Sequence, residues 1–180
     1  MTPSAFYFPQ LALTGLMAVV GLYNMVRPGG GPFAVFHFAD LATGLLGHLA
    51  FSLFGSFAAY LGGPVVQVAF PLSLFTYLAS LRKPFFAALA LFWAAHSLVG
   101  VSLYVRDARA LTFELYNGGE HLWNRLLFEL GLLPLDRFLG GVLHLGGALV
   151  LVAALGLALL ASRSNRRLPT SFTYSQRRNV

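Results

Sequence analysis

Hydrophobic positions fall in five long runs along this 180-residue chain, separated by short clusters of glycine, proline and basic residues. The runs cover about 6–26, 33–61, 64–81, 84–105 and 138–161. A helix needs about 20 apolar residues to cross a bilayer, so the pattern predicts five membrane-spanning helices. The breaks suit the reading. Arg27-Pro28-Gly29-Gly30-Gly31-Pro32 cannot continue a helix, Gly62-Gly63-Pro64 reads as a tight turn, and Arg82-Lys83-Pro84 places a proline at a helix start.

The segment 106–137 has a different period. Leu122, Trp123, Leu126, Leu127, Leu130 and Leu133 recur at helical spacing, while Glu120, His121, Asn124, Arg125 and Glu129 take the other face. This predicts an amphipathic helix lying in the membrane interface with Trp123 as its anchor. The expected fold is therefore all-α: a polytopic integral membrane bundle over 1–162, with one interfacial helix and a basic tail over 163–180.

Composition agrees. Apolar residues make up 57% and charged residues 10%, against roughly 45–50% and 25% in soluble domains. A soluble globule cannot hide that much apolar surface, which excludes a soluble enzyme, a disordered chain and a nucleic-acid module. Cysteine is absent, so disulfides, thiolate metal sites, covalent c-type haem and iron–sulfur clusters are excluded too. The first run lacks the basic start and cleavage site of a signal peptide and is expected to be retained.

Charge orients the bundle. The chain carries 12 Lys+Arg against 6 Asp+Glu, and Arg163, Arg166, Arg167, Arg177 and Arg178 crowd its last 18 residues. Placing that tail inside also puts Arg27, Arg82 and Lys83 inside. The expectation is an N-terminus outside and a C-terminus in the cytoplasm of a bacterial inner membrane. Arg163, Arg166, Arg167 and Trp123 are then the candidate contacts with lipid or a partner.

Polar groups inside a bilayer are functional candidates by default. Asp40 is the one carboxylate within the runs; His37, His48, His96 and His144 are the histidines. His37, Asp40, Gly44 and His48 form one helical stripe, continued by Ser52 and Gly55. With about 1.5 Å of rise per residue, Asp40 and His48 lie about 12 Å apart and cannot share a metal on an unbroken helix. A His48–His96 pair at similar depth could hold a haem, a metal or only a shared hydrogen bond. The favoured expectation for each histidine is a neutral ring bonded to a nearby carbonyl or hydroxyl, with no cofactor. Haem, pigment or a metal at His48, His96 or His144 is the alternative. Asp40 is expected to pair with Arg27, His37 or a helix terminus. Gly44, Gly47, Gly55, Gly140 and Gly147 are the expected helix-packing positions.

Several spaced motifs then stand out: Gly47-His48-Leu49-Ala50-Phe51, Leu61-Gly62-Gly63-Pro64 with Gln67 and Pro71, Tyr104 through Ala110, His121-Leu122-Trp123 and Leu130-Gly131-Leu132-Leu133. This series resembles a group of bacterial membrane proteins with an H-E-x-G-H motif, relatives of site-2-protease-like zinc peptidases. The resemblance covers roughly residues 37–140. It implies two zinc-ligating histidines and a glutamate base on one helix. Here that stretch reads Gly44-Leu45-Leu46-Gly47-His48. Glycine stands for the first ligand and leucine for the base. Gly100 stands where the family has an aspartate, and His121-Leu122-Trp123 replaces its H-D-W. The resemblance implies a peptidase scaffold without its chemistry.

The sequence thus points to a non-catalytic accessory or structural subunit of a larger bacterial membrane complex, with a photosynthetic or respiratory assembly as its host. Membrane lipids and protein partners are expected; nucleic acid is not. A haem- or metal-binding protein and a residual zinc metallopeptidase are the competing readings.

Overall fold

The computed structural model describes residues 7–26, 34–112 and 121–164. They form helices α1 (Phe8–Val26), α2 (Ala34–Ser52), α3 (Ser56–Ser80), α4 (Pro84–Arg106), α5 (Leu122–Glu129) and α6 (Asp136–Ser164), with a 3-10 turn at Leu133–Leu135. No strand occurs among the described residues. The fold is an all-α bundle with four helical stretches long and apolar enough to cross a membrane: α1, α3, α4 and Leu133–Arg163. α2 does not join them, because its 19 residues include His37, Asp40, Thr43 and His48. Among the described residues, four stretches thus meet this length and apolarity where the sequence has five runs.

The break between the second and third runs is also corrected. It falls at Leu53-Phe54-Gly55, where Gly55 adopts φ +101°. Gly62, Gly63 and Pro64 lie inside α3, as does Pro71. Glycine and proline are tolerated inside membrane helices when neighbouring helices satisfy the backbone. Here the glycines serve contact instead of a turn. A Cβ at Gly47 would strike the Gly62 carbonyl oxygen and come 2.7 Å from Val66 Cβ, so α2 and α3 meet backbone to backbone. Gly55, expected to pack helices, faces open space and stands at the N-cap of α3.

α4 is the central helix, packed on by α1, α2, α3, α5 and α6. Its membrane-length window is 56% buried, against 22–28% for the other three. Small residues make this feasible. Ala87, Ala88, Ala94 and Ala95 are all buried, and Ala88 and Ala95 with Phe85, Phe92, Leu151, Ala154, Ala158 and Ala161 close the α4–α6 seam on which Met17 and Val20 of α1 rest.

The first crossing is divided. Tyr7 N–H, just before α1, donates to Ser162 O near the end of α6 at 3.1 Å. Asn24, near the end of α1, reaches His96, the middle of α4. Phe36, near the start of α2, stacks edge-on with Phe92 at 5.4 Å and lies 5.5 Å from His96. So α1 runs from one end of the bundle to mid-height, and α2 runs from mid-height to the other end. α3 returns along α2, α4 runs back beside it, and α6 returns along α4. The start of α1 and the end of α6 lie at the same end of the bundle.

α5 differs as well. Leu126 and Leu127 are buried, and Trp123 packs half-buried with Leu127 against Val101, Val105 and Ala108. The apolar face that reads as a membrane anchor instead covers the end of the bundle. Phe128 and Leu130 are its exposed apolar positions.

Candidate functional site

The mid-height junction of α1, α2, α3 and α4 holds the one dense polar cluster among the described membrane helices. Asp40 is its centre. Its Oδ1 accepts from Trp93 Nε1 at 2.8 Å and from Ser97 Oγ at 2.6 Å. Its Oδ2 lies 3.6 Å from His96 Nε2. Gln67 of α3 approaches the same carboxyl. On the far side of the His96 ring, Nδ1 sits 3.0 Å from Asn24 Nδ2. An amide nitrogen only donates, so Nδ1 accepts and Nε2 carries the proton that faces Asp40. Asn24, Asp40 and Ser97 are all buried. Spacing explains the arrangement: Trp93 and Ser97 are one turn apart on α4 and present both donors to one oxygen. The donors that reach Asp40 come from α4, because α2 lays Asp40 against α4. Arg27 lies outside the described residues.

The histidines do not converge. His96 belongs to the Asp40 cluster, while His48 sits two turns further along α2, about 12 Å from Asp40 by helical rise. His48 Nδ1 donates to Ala59 O at 3.0 Å. His144 Nδ1 meets Ser102 Oγ at 3.3 Å, and that hydroxyl donates to Val99 O at 2.6 Å. The His48–His96 pair left open by the sequence is therefore not formed. Among the described residues, no three His, Asp or Glu side chains come together as metal ligands would. The cavity beside His96, lined by Gly21, Asn24, Phe92 and Leu151 among others, is about 10 Å³, about the space of one water. A porphyrin at His96 would require α1, α4 and α6 to move apart.

The packing glycines divide into two sets. Gly140 and Gly147 bring α6 onto α4: a Cβ at Gly147 would come 2.7 Å from Val99 Cγ2, and one at Gly140 would strike Arg106 Cγ. Gly44 is looser. A Cβ there would sit 3.8 Å from Gln67 Oε1, and a Cβ at Gly100 would sit 4.0 Å from Gln67 Nε2. One amide thus fills the space between Gly44 of α2 and Gly100 of α4. Leu45 is 57% exposed on the outer face of α2.

A second polar group closes the end of the bundle near α5. Asp107 Oδ1 accepts from the Thr112 backbone N–H at 3.1 Å and from its hydroxyl. His121 caps α5 through Nδ1, which accepts from Asn124 N–H at 3.2 Å, and its Nε2 lies 3.6 Å from Asp107 Oδ2. Asn124 Nδ2 donates to Ala108 O at 2.7 Å. Next to it, Arg109 grips buried Asp136 through Nε at 2.8 Å and Nη2 at 2.6 Å. The hydrogen bond to Asp136 raises the Arg109 pKa above its ordinary value.

Sequence reasoning named Asp40 and His96 but missed Asn24, Gln67, Trp93 and Ser97 as their partners. Asn24 carried a usable signal, being the one amide beyond the first turn of an apolar helix. Trp123 packs inward, and Arg163 is exposed at the end of α6. Gly29, Gly30, Gly31, Glu120, Arg166 and Arg167 lie outside the described residues. Comparison with family models, with curated proteins and with solved structures gave no match.

Proposed function

We propose that this chain is a non-catalytic membrane subunit, a helical scaffold that acts through its outer surface within a larger bacterial membrane complex. The observation that carries the reading is the closed Asp40 cluster. It ties α1, α2, α3 and α4 together through side chains of this chain, and Asp40 and His96 are both engaged within it. His48 and His144 are each bonded across helices too. A network closed in this way rigidifies a bundle. The parts left for other molecules are the apolar outer faces and the basic ends.

The resemblance to H-E-x-G-H membrane proteins is consistent with this reading. Positions 44 and 100, where that resemblance has a ligand and an aspartate, are glycines facing the single amide of Gln67. Position 45, where the base would stand, faces outward. Such a chain keeps a peptidase-like frame and fills the ligand space with an uncharged side chain. Removal of the gene tests the proposal. At least one membrane complex should lose mass and activity, and complexes unchanged in both would overturn it.

One observation favours a second reading. The divided first crossing brings its two helix ends to Asp40 and His96 at mid-height, and discontinuous helices and intramembrane ionisable pairs accompany ion and proton movement. Reconstituted in vesicles under a pH gradient, the protein should dissipate the gradient on this reading. An Asp40→Asn variant should not.

A further inference from the structure

At the end of the bundle where α6 finishes, α3 turns into α4 through Arg82 and Lys83, both exposed. The turn has the Schellman pattern: Lys83 N–H donates to Leu78 O at 3.0 Å and Arg82 N–H to Ala79 O at 2.9 Å. Its left-handed position favours glycine, yet Arg82 holds it at φ +54°. The next position often packs an apolar side chain back on the helix, and here it is Lys83. Two cations stand where an unstrained turn would carry neither.

The same end gathers further features. Phe85 of α4 shares a packed cluster with Ala158 and Ala161 of α6, which brings the turn to the end of α6, where Arg163 is exposed. Tyr7 N–H donates to Ser162 O, so the start of α1 joins them. Tyr7 and Tyr77, within one turn of their helix ends, are 51% and 60% exposed, and such rings mark the headgroup level of a bilayer. No carboxylate side chain occurs between Asp40 and Asp107 or after Asp136. Asp107, Glu129 and Asp136 sit at the opposite end, where α4 finishes and α6 begins. Arg82 and Lys83 form no ion pair among the described residues.

We infer that this end of the bundle docks on the anionic phospholipid headgroups of the cytoplasmic leaflet, with Arg82 and Lys83 as its contacts. A cation just past the end of an apolar membrane helix stands at headgroup level, and the anionic lipids of the cytoplasmic leaflet attract each such cation. The dipole of α3 also favours a cation at its C-terminus, but it does not require one in the left-handed position. The start of α1 and the end of α6 then both face the cytoplasm. The inference rests on the helices crossing a membrane and stands whether or not the chain belongs to a larger complex.

The test uses the full chain reconstituted in dioleoylphosphatidylcholine vesicles at about 0.1 M salt, where charge acts over about 10 Å. The chain has no cysteine, so Ser80→Cys, at an exposed site beside the turn, carries a single bimane fluorophore. Spin-labelled phosphatidylglycerol and spin-labelled phosphatidylcholine are the quenching probes. Phosphatidylglycerol should be preferred by more than about 5-fold, the effect of about one cation at a lipid surface. Arg82→Gly/Lys83→Gln should cut that preference about 5-fold, and glycine suits the left-handed position, so the fold should hold. Unaltered side chains in about 1 M salt, where charge acts over about 3 Å, should show the same loss with the turn intact. The preference at a Phe138→Cys fluorophore, at the other end of the bundle, should not respond to the Gly/Gln pair. Equal quenching by the two lipids at position 80, a preference unchanged by the pair or by salt, or an equal change at both positions would overturn the inference.

Discussion

Replacing Asp40 with alanine removes the acceptor at the centre of the bundle. Trp93 Nε1 then has no partner, His96 Nε2 loses the carboxyl it faces, and Ser97 keeps only its bond to Trp93 O at 3.1 Å. An orphaned buried donor costs about 1–3 kcal/mol. Hydrogen bonds between membrane helices average about 0.6 kcal/mol, with a maximum of about 1.7, because the unfolded chain in the membrane finds partners too. One full hydrogen bond, one weakened contact and a small void together give a loss of about 2 kcal/mol. Asp40→Asn keeps an acceptor oxygen and should lose less than about 1 kcal/mol. Unfolding by SDS in mixed micelles, followed by tryptophan fluorescence, measures both. The chain has two tryptophans, so a Trp123→Phe background isolates Trp93. A double-mutant cycle with Ser97→Ala should give a coupling of about 1 kcal/mol. Asp40→Ala within about 0.5 kcal/mol of wild type would refute the clamp.

Further outcomes follow from the same contacts. Gly147→Ala should destabilise by about 1–3 kcal/mol through overpacking against Val99. Gly141→Ala, with open space around it, should be neutral or stabilising by up to about 1 kcal/mol through helix propensity, and the same SDS titration reads both. Gly55→Ala forces a side chain into φ +101° and should cost about 1–3 kcal/mol, seen as a lower unfolding midpoint. The chain has no cysteine, so single cysteines at Phe8 and Arg163 can be probed in intact membrane vesicles. A membrane-impermeant maleimide should label both from the same side, and labelling from opposite sides would contradict the placement of the start of α1 beside the end of α6.

Much of the bundle was legible because membrane helices announce themselves by length and apolarity. The boundaries of α4 are nearly those its sequence run implies, since Pro84 starts it and Arg106 ends it. The α2–α3 break was misread because Gly62-Gly63-Pro64 has the chemistry of a turn in water. Inside a bilayer the same residues allow close helix contact and remain helical. The polarity of α2 was visible as a stripe, yet its consequence was not: the helix carrying Asp40 and His48 starts at mid-height, beside the end of α1. That depends on which residue of α4 meets Asn24, which no periodicity reveals. Gln67 was noticed only as part of a motif. Its role comes from lying between two glycines far apart in sequence, Gly44 and Gly100. The amphipathic period of α5 was read correctly and its environment was not, because a buried face on protein and one on lipid have the same pattern.

The most direct test of the scaffold reading is the native mass of the assembly that contains this chain, extracted from its own membranes in mild detergent, with its absorption spectrum taken on the same band. A band far above the 19.5 kDa of the single chain, carrying other polypeptides in fixed ratio, is the predicted result, and pigment absorption would then identify the assembly. A small band without partners would contradict the account, and haem absorption on that band would transfer the function to its histidines.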